Sequence, residues 1–511
     1  MRTPERIGFA SLLALLAGCA TSSLNLAPAA PNVPWTPATG SDGGIVAGTP
    51  PSKTAPRNRS YVLPSNAKAA GQLPTLPGLD KSHAYTLPEL IDLAESNNPL
   101  TRVAWENARA AALATGIARA AYLPNLSASV VGAYQTGNNR VTVGGRQASH
   151  NSSLHGSIST LSVQWLLFDF GERAATVSAA EQGSVIADVG FTAVHQQLIY
   201  RVSLAYYVCM ASRARVASAE KALRNARDVQ AAAESRHAHE GGTIVEVAQA
   251  RQGTAQAELA QVEAIGQAQD SYVALLAAMG VSPLTRIKIA PLSRRRLSPA
   301  LMQPIDQIVT DALARRPDIL SAYAAHQASL DRLRAAQAEF MPKVFLSVTG
   351  SYSSSTSNVS SIPGFGQSAA TLDIPATHVG ATVLLGVTVP IYDGGVRRAL
   401  EGQARADEAG TDATLDEVRD EATREIVGAA NHVRTSLSAL DAADALRSAA
   451  QISFDAALDA YRNGVGSITD ATRAQTALLE SQNAATDAYS AALSSAATLA
   501  LAAGTLGTAP E

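Results

Sequence analysis

The segment YLPNLSASVVGAY, residues 122 to 134, has a period of two, with Leu126, Ala128, Val130, Gly132 and Tyr134 on one side and Ser127, Ser129, Val131 and Ala133 on the other. That period predicts a strand with one apolar face. Residues 378 to 389 repeat it: Val379, Ala381, Val383, Leu385, Val387 and Val389 oppose His378, Gly380, Thr382, Gly386 and Thr388, interrupted only by Leu384. Elsewhere the apolar spacing changes to threes and fours. Leu198, Val202, Ala205, Cys209, Ser212, Val216, Ala219, Leu223 and Ala226 form the seam of a helix packed against other helices. No proline falls between Pro124 and Pro283 or between Pro390 and Pro510, so both stretches are free to hold long helices.

The chain also matches itself. Leu90 to Tyr134 aligns without a gap with Ile308 to Tyr352 at an offset of 218, pairing Pro99 with Pro317, Pro124 with Pro342 and Tyr134 with Tyr352. Beyond the strands the offset becomes 224, pairing WLLFDFGER (165–173) with VPIYDGGVR (389–397) and bringing GGTIVEV (241–247) close to VGSITDA (465–471). Each half therefore reads as helix, strand, loop, strand, very long helix, tight turn, long helix. The predicted first repeat is 85–303, with a β-hairpin at 122–168, a helical hairpin at 172–279 and a connector. The second is 304–507, with a β-hairpin at 340–392 and a helical hairpin at 396–503, followed by a tail at 508–511. A helix from Glu172 to about Ala238 would run roughly 100 Å at about 1.5 Å per residue, more than a compact domain needs.

Strands of about ten residues, apolar on one face and small or polar on the other, meet the demands of a transmembrane β-barrel. The segments 136–153 and 353–377 read as long polar loops between them. Four strands are too few to close alone, since small barrels need about eight, and lipid tolerates no open edge. The chain must then oligomerise. A soluble four-stranded sheet capping a coiled coil is the other reading, but such a sheet normally carries charge on its wet face, and these strands carry almost none until Asp169 and Asp393.

Charge adds little, because a net charge of -3 with 16% charged residues offers no basic patch for nucleic acid. Two cysteines cannot form a disulfide framework, and Cys209 falls in the helix seam. Cys19 is more informative. Arg2 and Arg6 precede the apolar run Ile7 to Ala17, and Leu16-Ala17-Gly18-Cys19 completes the pattern. The run is too short to cross about 30 Å of hydrocarbon, and it resembles a bacterial lipoprotein signal. Residues 1–18 would be removed and Cys19 would carry the lipid, and in proteobacterial lipoproteins Ala20 at the following position implies sorting to the outer membrane. Ten of the 24 prolines lie between Pro28 and Pro77, so residues 19–84 read as an extended or disordered tether.

Candidate chemistry is sparse. There is no nucleotide-binding loop, no Ser/His/Asp arrangement and no metal-ligand cluster, so neither an enzyme nor a cofactor is expected. His237 and His239 stand two apart and do not share a helix face. Arg294 to Arg296 reads as a solvated run in the connector. Pro124 and Pro342 suit helix-to-strand junctions, and Gly171, Gly394 and Gly395 suit the strand-to-helix turns. At the two helix-hairpin turns, EGGTIVEVAQARQ (240–252) and NGVGSITDATRAQ (463–475), Gly242 and Gly466 are expected to take positive φ and end one helix. Thr243 and Ser467 would cap the next, with Glu246 and Asp470 as acidic capping-box partners.

Over about Thr86 to Gly507 the chain resembles the TolC-like outer-membrane efflux protein family. The resemblance rests on the order of the repeated Ala-x-Tyr/Phe-x-Pro junctions (Ala120 to Pro124, Ala338 to Pro342), FDFGER, YDGGVRR and Arg315-Arg316-Pro317-Asp318-Ile319. It implies an α+β membrane protein with a twofold internal repeat. Three identical chains would give four strands each to a 12-stranded antiparallel transmembrane β-barrel, continued by a long periplasmic α-helical barrel, in the outer membrane of a Gram-negative bacterium. The resemblance implies a passive duct for drugs or other small molecules, working with a periplasmic adaptor protein and an inner-membrane pump of the RND type. An adaptor would touch the tips at Gly241, Gly242, Thr243, Gly464, Gly466 and Ser467, while Glu246 and Asp470 match acidic residues at the constricted entrance. Arg473 stands where some members place a further acid, which suggests ion pairs with Asp470 instead. Type I protein secretion, metal efflux and a non-conducting structural lipoprotein stay open as alternatives.

Overall fold

The computed structural model describes residues 27, 31, 35, 37–46, 61–63, 65–70, 80, 82–143, 146–292, 304–360 and 371–507, the side chains of 138–152 and 358–374 excepted. Cys19, Arg294 to Arg296 and the 508–511 tail lie outside the described residues. The chain divides into two compact units, 1–77 and 78–511.

In the first unit β1 (Ala38–Thr39) pairs antiparallel with β2 (Ile45–Val46), and a one-turn helix α1 (Ala67–Ala70) follows. Asp42 accepts from the Gly44 amide within the turn and pairs with Lys68 at 2.7 Å.

The second unit is a repeat in space as well as in sequence. Its first half comprises β3 (Ala84–Tyr85), α2 (Leu87–Asn97), α3 (Pro99–Ala120), β4 (Asn125–Val143), β5 (Arg146–Phe168), α4 (Glu172–Ala238) and α5 (Ile244–Ala278). After the short β6 (Lys288–Ile289), which pairs in parallel with β3, the second half follows as α6 (Ile305–Leu313), α7 (Pro317–Ala338), β7 (Lys343–Ser360), β8 (Thr371–Thr388), α8 (Val396–Arg462) and α9 (Ile468–Ala502). Corresponding helices match in length: α3 and α7 have 22 residues, α4 and α8 have 67, α5 and α9 have 35.

The long helices form because their sequences are alanine-rich and free of proline, and they are held by lateral packing of small residues. Along α4, Leu198, Val202, Cys209, Ser212, Ala219, Leu223 and Ala226 are buried. α4 packs against α3, α5, α7 and α9, whereas α8 packs against α6, α7 and α9. The two long helices scarcely touch, being separated by the helices between them.

The four strands form one antiparallel sheet in the order β4-β5-β7-β8. They are 19, 23, 18 and 18 residues long, well beyond the ten expected, and they run into the segments read as loops. Gly137 pairs with Ser152 and Ser355 with Ala376, because backbone ladder bonds sustain a strand after its apolar alternation has ended.

Candidate functional site

Residues directly opposite in an antiparallel ladder share a face, so the register sorts all four strands at once. One face carries the rows Leu126–Val163–Val348–Val383 and Ala128–Leu161–Gly350–Ala381; below them stand Trp165–Leu346–Leu385. The other carries Ser127–Ser162–Thr349–Thr382 and Ser129–Thr160–Ser351–Gly380. Hydroxyls there bond across the strands, Ser127 with Ser162 and Ser129 with Thr160, both at 2.7 Å. Val130, on the apolar face, is 75% exposed. From Val379 to Val387 the apolar face of β8 spans roughly 27 Å at about 3.4 Å per residue, close to the apolar band of about 25 Å in outer-membrane barrels. Exposed aromatics bracket it, with Tyr134 and Tyr352 at one end and Trp165, Phe168 and Tyr392 at the other.

Below the sheet, each half turns into its long helix through an Asp-x-Gly-x-Arg corner. Gly171 and Gly395 are the helix N-caps, at φ 97° and 96°. Asp169 accepts from the Arg173 amide at 2.9 Å and pairs with its guanidinium at 2.8 Å; Asp393 and Arg397 do the same at 3.0 and 2.8 Å. Arg173 also donates to the Leu166 carbonyl at 2.6 Å and the Ala121 carbonyl at 3.1 Å, fastening the strand to the end of α3. Burial works against the Asp169 charge, but the Arg173 amide and guanidinium outweigh it and hold the carboxyl below its ordinary value of 3.8. The Arg397 amide and guanidinium lower Asp393 likewise. Sequence reasoning singled out the glycines here and missed the Asp-Arg pairs, although their recurrence at the 224 offset was a usable signal. Pro124 and Pro342 stand immediately before β4 and β7.

Among the described residues, backbone strain at non-glycine positions falls only in the first half. Phe170 (φ 51°) and Glu240 (φ 62°) are non-glycine residues in the left-handed region, and their counterparts are Gly394 (φ 73°) and Gly464 (φ 79°). This corrects the expectation at the tips, where neither Gly242 nor Gly466 has positive φ. A Cβ on Gly242 would come within 3.2 Å of the Arg236 Cβ, and one on Gly466 within 3.0 Å of the Ala460 Cβ. These glycines are small so that the turn can press against the end of the preceding helix. In both turns an amide reaches back to that helix, Gly241 to the Arg236 carbonyl at 2.9 Å and Val465 to the Ala460 carbonyl at 3.0 Å.

The two tips of one chain are joined. Arg236 donates to the Tyr461 carbonyl at 3.1 Å and to the Gly241 carbonyl at 2.9 Å, and its guanidinium lies over the Tyr461 ring at 4.7 Å. The Tyr461 hydroxyl donates to Glu246 Oε2 at 3.2 Å. Tyr461 is fully buried among Val229, Val247, Phe454, Leu458 and Ile468. Burial, reinforced by the Glu246 carboxylate, pushes its pKa up to about 12. Thr243 and Ser467 cap α5 and α9 by accepting from the Glu246 and Asp470 amides. Asp470 is exposed and accepts from the Ser467 hydroxyl at 2.7 Å. Arg473 is exposed one turn on, and the single chain forms no ion pair between it and Asp470. Tyr461 and Arg236 are tip residues the sequence did not disclose. His237 and His239 donate locally from Nδ1 to the Gly242 and Ser235 carbonyls, and among the described residues no group of metal ligands gathers.

At the other end of the helices Arg316, within the Arg-Arg-Pro-Asp-Ile run, is buried and pairs with Asp318 at 2.6 Å and Glu425 at 2.7 Å while donating to the Ala502 carbonyl at 3.0 Å. Its counterpart Asn98 donates to the Ala278 carbonyl at 3.3 Å. Each return helix is thus pinned to the start of a strand-leading helix, with the ion pairs found only in the second half.

A sheet with one apolar and one hydroxyl-lined face, joined to long paired helices, agrees with what known proteins show. Bordetella pertussis protein CyaE is 30% identical over 356 residues, covering 69% of this chain and 70% of that protein. The pyoverdine export outer membrane protein OpmQ of Pseudomonas aeruginosa is 25% identical over 449 residues, covering 85% and 89%. The crystal structure of the outer membrane protein VceC from Vibrio cholerae shares the fold, with a TM-score of 0.64 at 21% identity over 82% of this chain and 96% of that one. The sequence profile described as outer membrane efflux protein matches residues 90–281 and 308–505, the two repeats in turn, and the chain belongs to that family of outer-membrane efflux channels.

Proposed function

We propose that three copies of the chain close edge to edge into a 12-stranded barrel in the outer membrane, continued by a helical tube, and that the assembly is the passive exit duct of a tripartite efflux system for small molecules. The sheet carries this reading. β4 and β8 are its edges, its apolar rows run across all four strands, and an even number of alternating strands sets β8 of one copy antiparallel to β4 of the next. The helices support the same closure. Within a chain α4 lies between α3 and α7, while α8 has only α7 on the equivalent side. The next copy's α3, with Leu113 and Ile117 exposed, completes that arrangement.

Transport through such a duct draws its energy from an inner-membrane pump, of the RND type in this reading, coupled through a periplasmic adaptor at the tips. Gly241 to Thr243 and Gly464 to Ser467 form those tips, with Val465 84% exposed beside them. Asp470, exposed and charged, is the better placed entrance carboxylate, whereas Glu246 is engaged with Tyr461. Small molecules are the favoured cargo because of the kinship with a pyoverdine exporter. Cys19 is the proposed lipid attachment. The test is reconstitution of the purified protein in planar bilayers, with stepwise ion conductance and a heat-modifiable trimer on gels as the expected results. A protein that migrates as a monomer and conducts nothing would overturn the reading.

A further inference from the structure

We propose that the pocket between α4, α9 and the connector after α5 binds an amphiphilic anion, an aliphatic chain of moderate length ending in a carboxylate. The pocket holds about 440 Å³, within the range of roughly 300–1,000 Å³ typical of small-molecule sites. Tyr207 and Met210 of α4 and Leu493 of α9 give it an apolar lining, and Leu292 of the connector closes one side. Met210 is buried and Tyr207 half-buried, so the site is recessed among the helices.

Among the described residues two guanidinium groups also face it, and they differ. Arg447 pairs with Asp444 at 3.4 Å. Arg213 is exposed at the mouth, and among the described residues no carboxylate pairs with it. Its contacts are the Ile289 carbonyl at 3.5 Å and the face of Tyr272 at 5.9 Å. An apolar cleft with, among the described residues, one cation that no carboxylate pairs selects an apolar body with a negative charge: the chain displaces water from the cleft while the head gains a charge-assisted hydrogen bond. A neutral amphiphile gains only the first. All the described lining residues come from one chain. The internal repeat does not duplicate it, because the wall from Ile289 to Leu292 belongs to the connector between the halves.

The test titrates the full-length protein, held in a nonionic amphipol, with sodium decanoate and follows binding by calorimetry. Saturable binding is expected, weakened about tenfold by Arg213→Gln through loss of the charged contact and abolished by Leu493→Trp, which fills the cleft. Ser490→Leu at the pocket wall serves if the tryptophan variant does not fold. Decanol, which lacks the charged contact, should bind about tenfold or more weakly than decanoate. Equal affinity for decanol and decanoate, equal affinity in the wild type and the variants, or no saturable binding by the wild type would each overturn the proposal.

Discussion

Tyr461 at the end of α8 donates its hydroxyl hydrogen to Glu246 near the start of α5, across 3.2 Å, so this bond, with that from Arg236 to the Tyr461 carbonyl, joins the two helical hairpins of a chain at their tips. Because the phenol pKa is pushed up to about 12, this donor keeps its proton throughout the physiological range. Tyr461→Phe preserves the ring beneath Arg236 and removes only that bond, at a cost of about 1 kcal/mol. The expected outcome is a leakier resting channel, read as higher conductance in planar bilayers without loss of the trimer. Unchanged conductance would make the bond a matter of shape alone.

Asp470 serves two roles that a pair of substitutions can separate. Asp470→Asn keeps a side chain able to bond Ser467 and cap α9 but removes the charge, whereas Asp470→Ala removes both. If the entrance is closed electrostatically, by pairing with Arg473 of a neighbouring copy, both variants and Arg473→Ala should conduct more than the wild type. A leak confined to the alanine variant of Asp470 would assign the effect to the cap.

Phe170 and Glu240 carry backbone strain that their counterparts Gly394 and Gly464 avoid. A left-handed conformation costs a non-glycine residue roughly 1–2 kcal/mol. Glu240→Gly should therefore leave stability unchanged or raise it, while Gly464→Ala should lower it by about 1 kcal/mol. Thermal unfolding of the two variants side by side measures the difference.

The Asp-Arg corners give the fold a defined acid limit. A carboxyl whose folded pKa lies below its unfolded value stabilises the folded chain above the unfolded value, here 3.8, and that contribution fades as pH falls through the folded value. Asp169→Asn should lower the melting temperature at pH 7, through a loss of about 1–3 kcal/mol, and the gap from the wild type should narrow below pH 3.8. A gap constant from pH 6 to pH 3 would exclude the charge as its source.

The sheet register predicts opposite fates for neighbours. Val130→Arg places a charge in the apolar rows at a cost of about 2–4 kcal/mol and should block assembly of the heat-modifiable trimer; Ser129→Arg, on the hydroxyl face, should be tolerated. Equal behaviour of the two would contradict the assignment of faces.

The fold class was legible because each signal was local and occurred twice. Alternation marked Leu126 to Tyr134, proline marked where helices must stop, and the 218 and 224 offsets tied the halves together. What was illegible depended on contacts distant in sequence. Nothing local to Tyr461 points to Glu246, 215 residues away, or from Arg316 to the Ala502 carbonyl, 186 residues away. The strands outrun the ten residues that alternation predicts because Gly137 to Val143 has no apolar face to announce it, its pairing being a matter of backbone bonds. At the tip glycines the sequence suggests positive φ whereas the turn requires their small size, and only alignment of Glu240 with Gly464 locates the left-handed residue.

The equal lengths of α4 and α8, 67 residues each, make the two hairpins of a chain end at one level. Seven residues inserted into α4 alone, with α5 extended to match, would drive its tip about 10 Å past the other and strand Glu246 beyond the reach of Tyr461. In the proposed duct the rim offered to an adaptor is therefore kept flat by bookkeeping between distant parts of the chain, and evolution can lengthen such a tube only by editing both halves together.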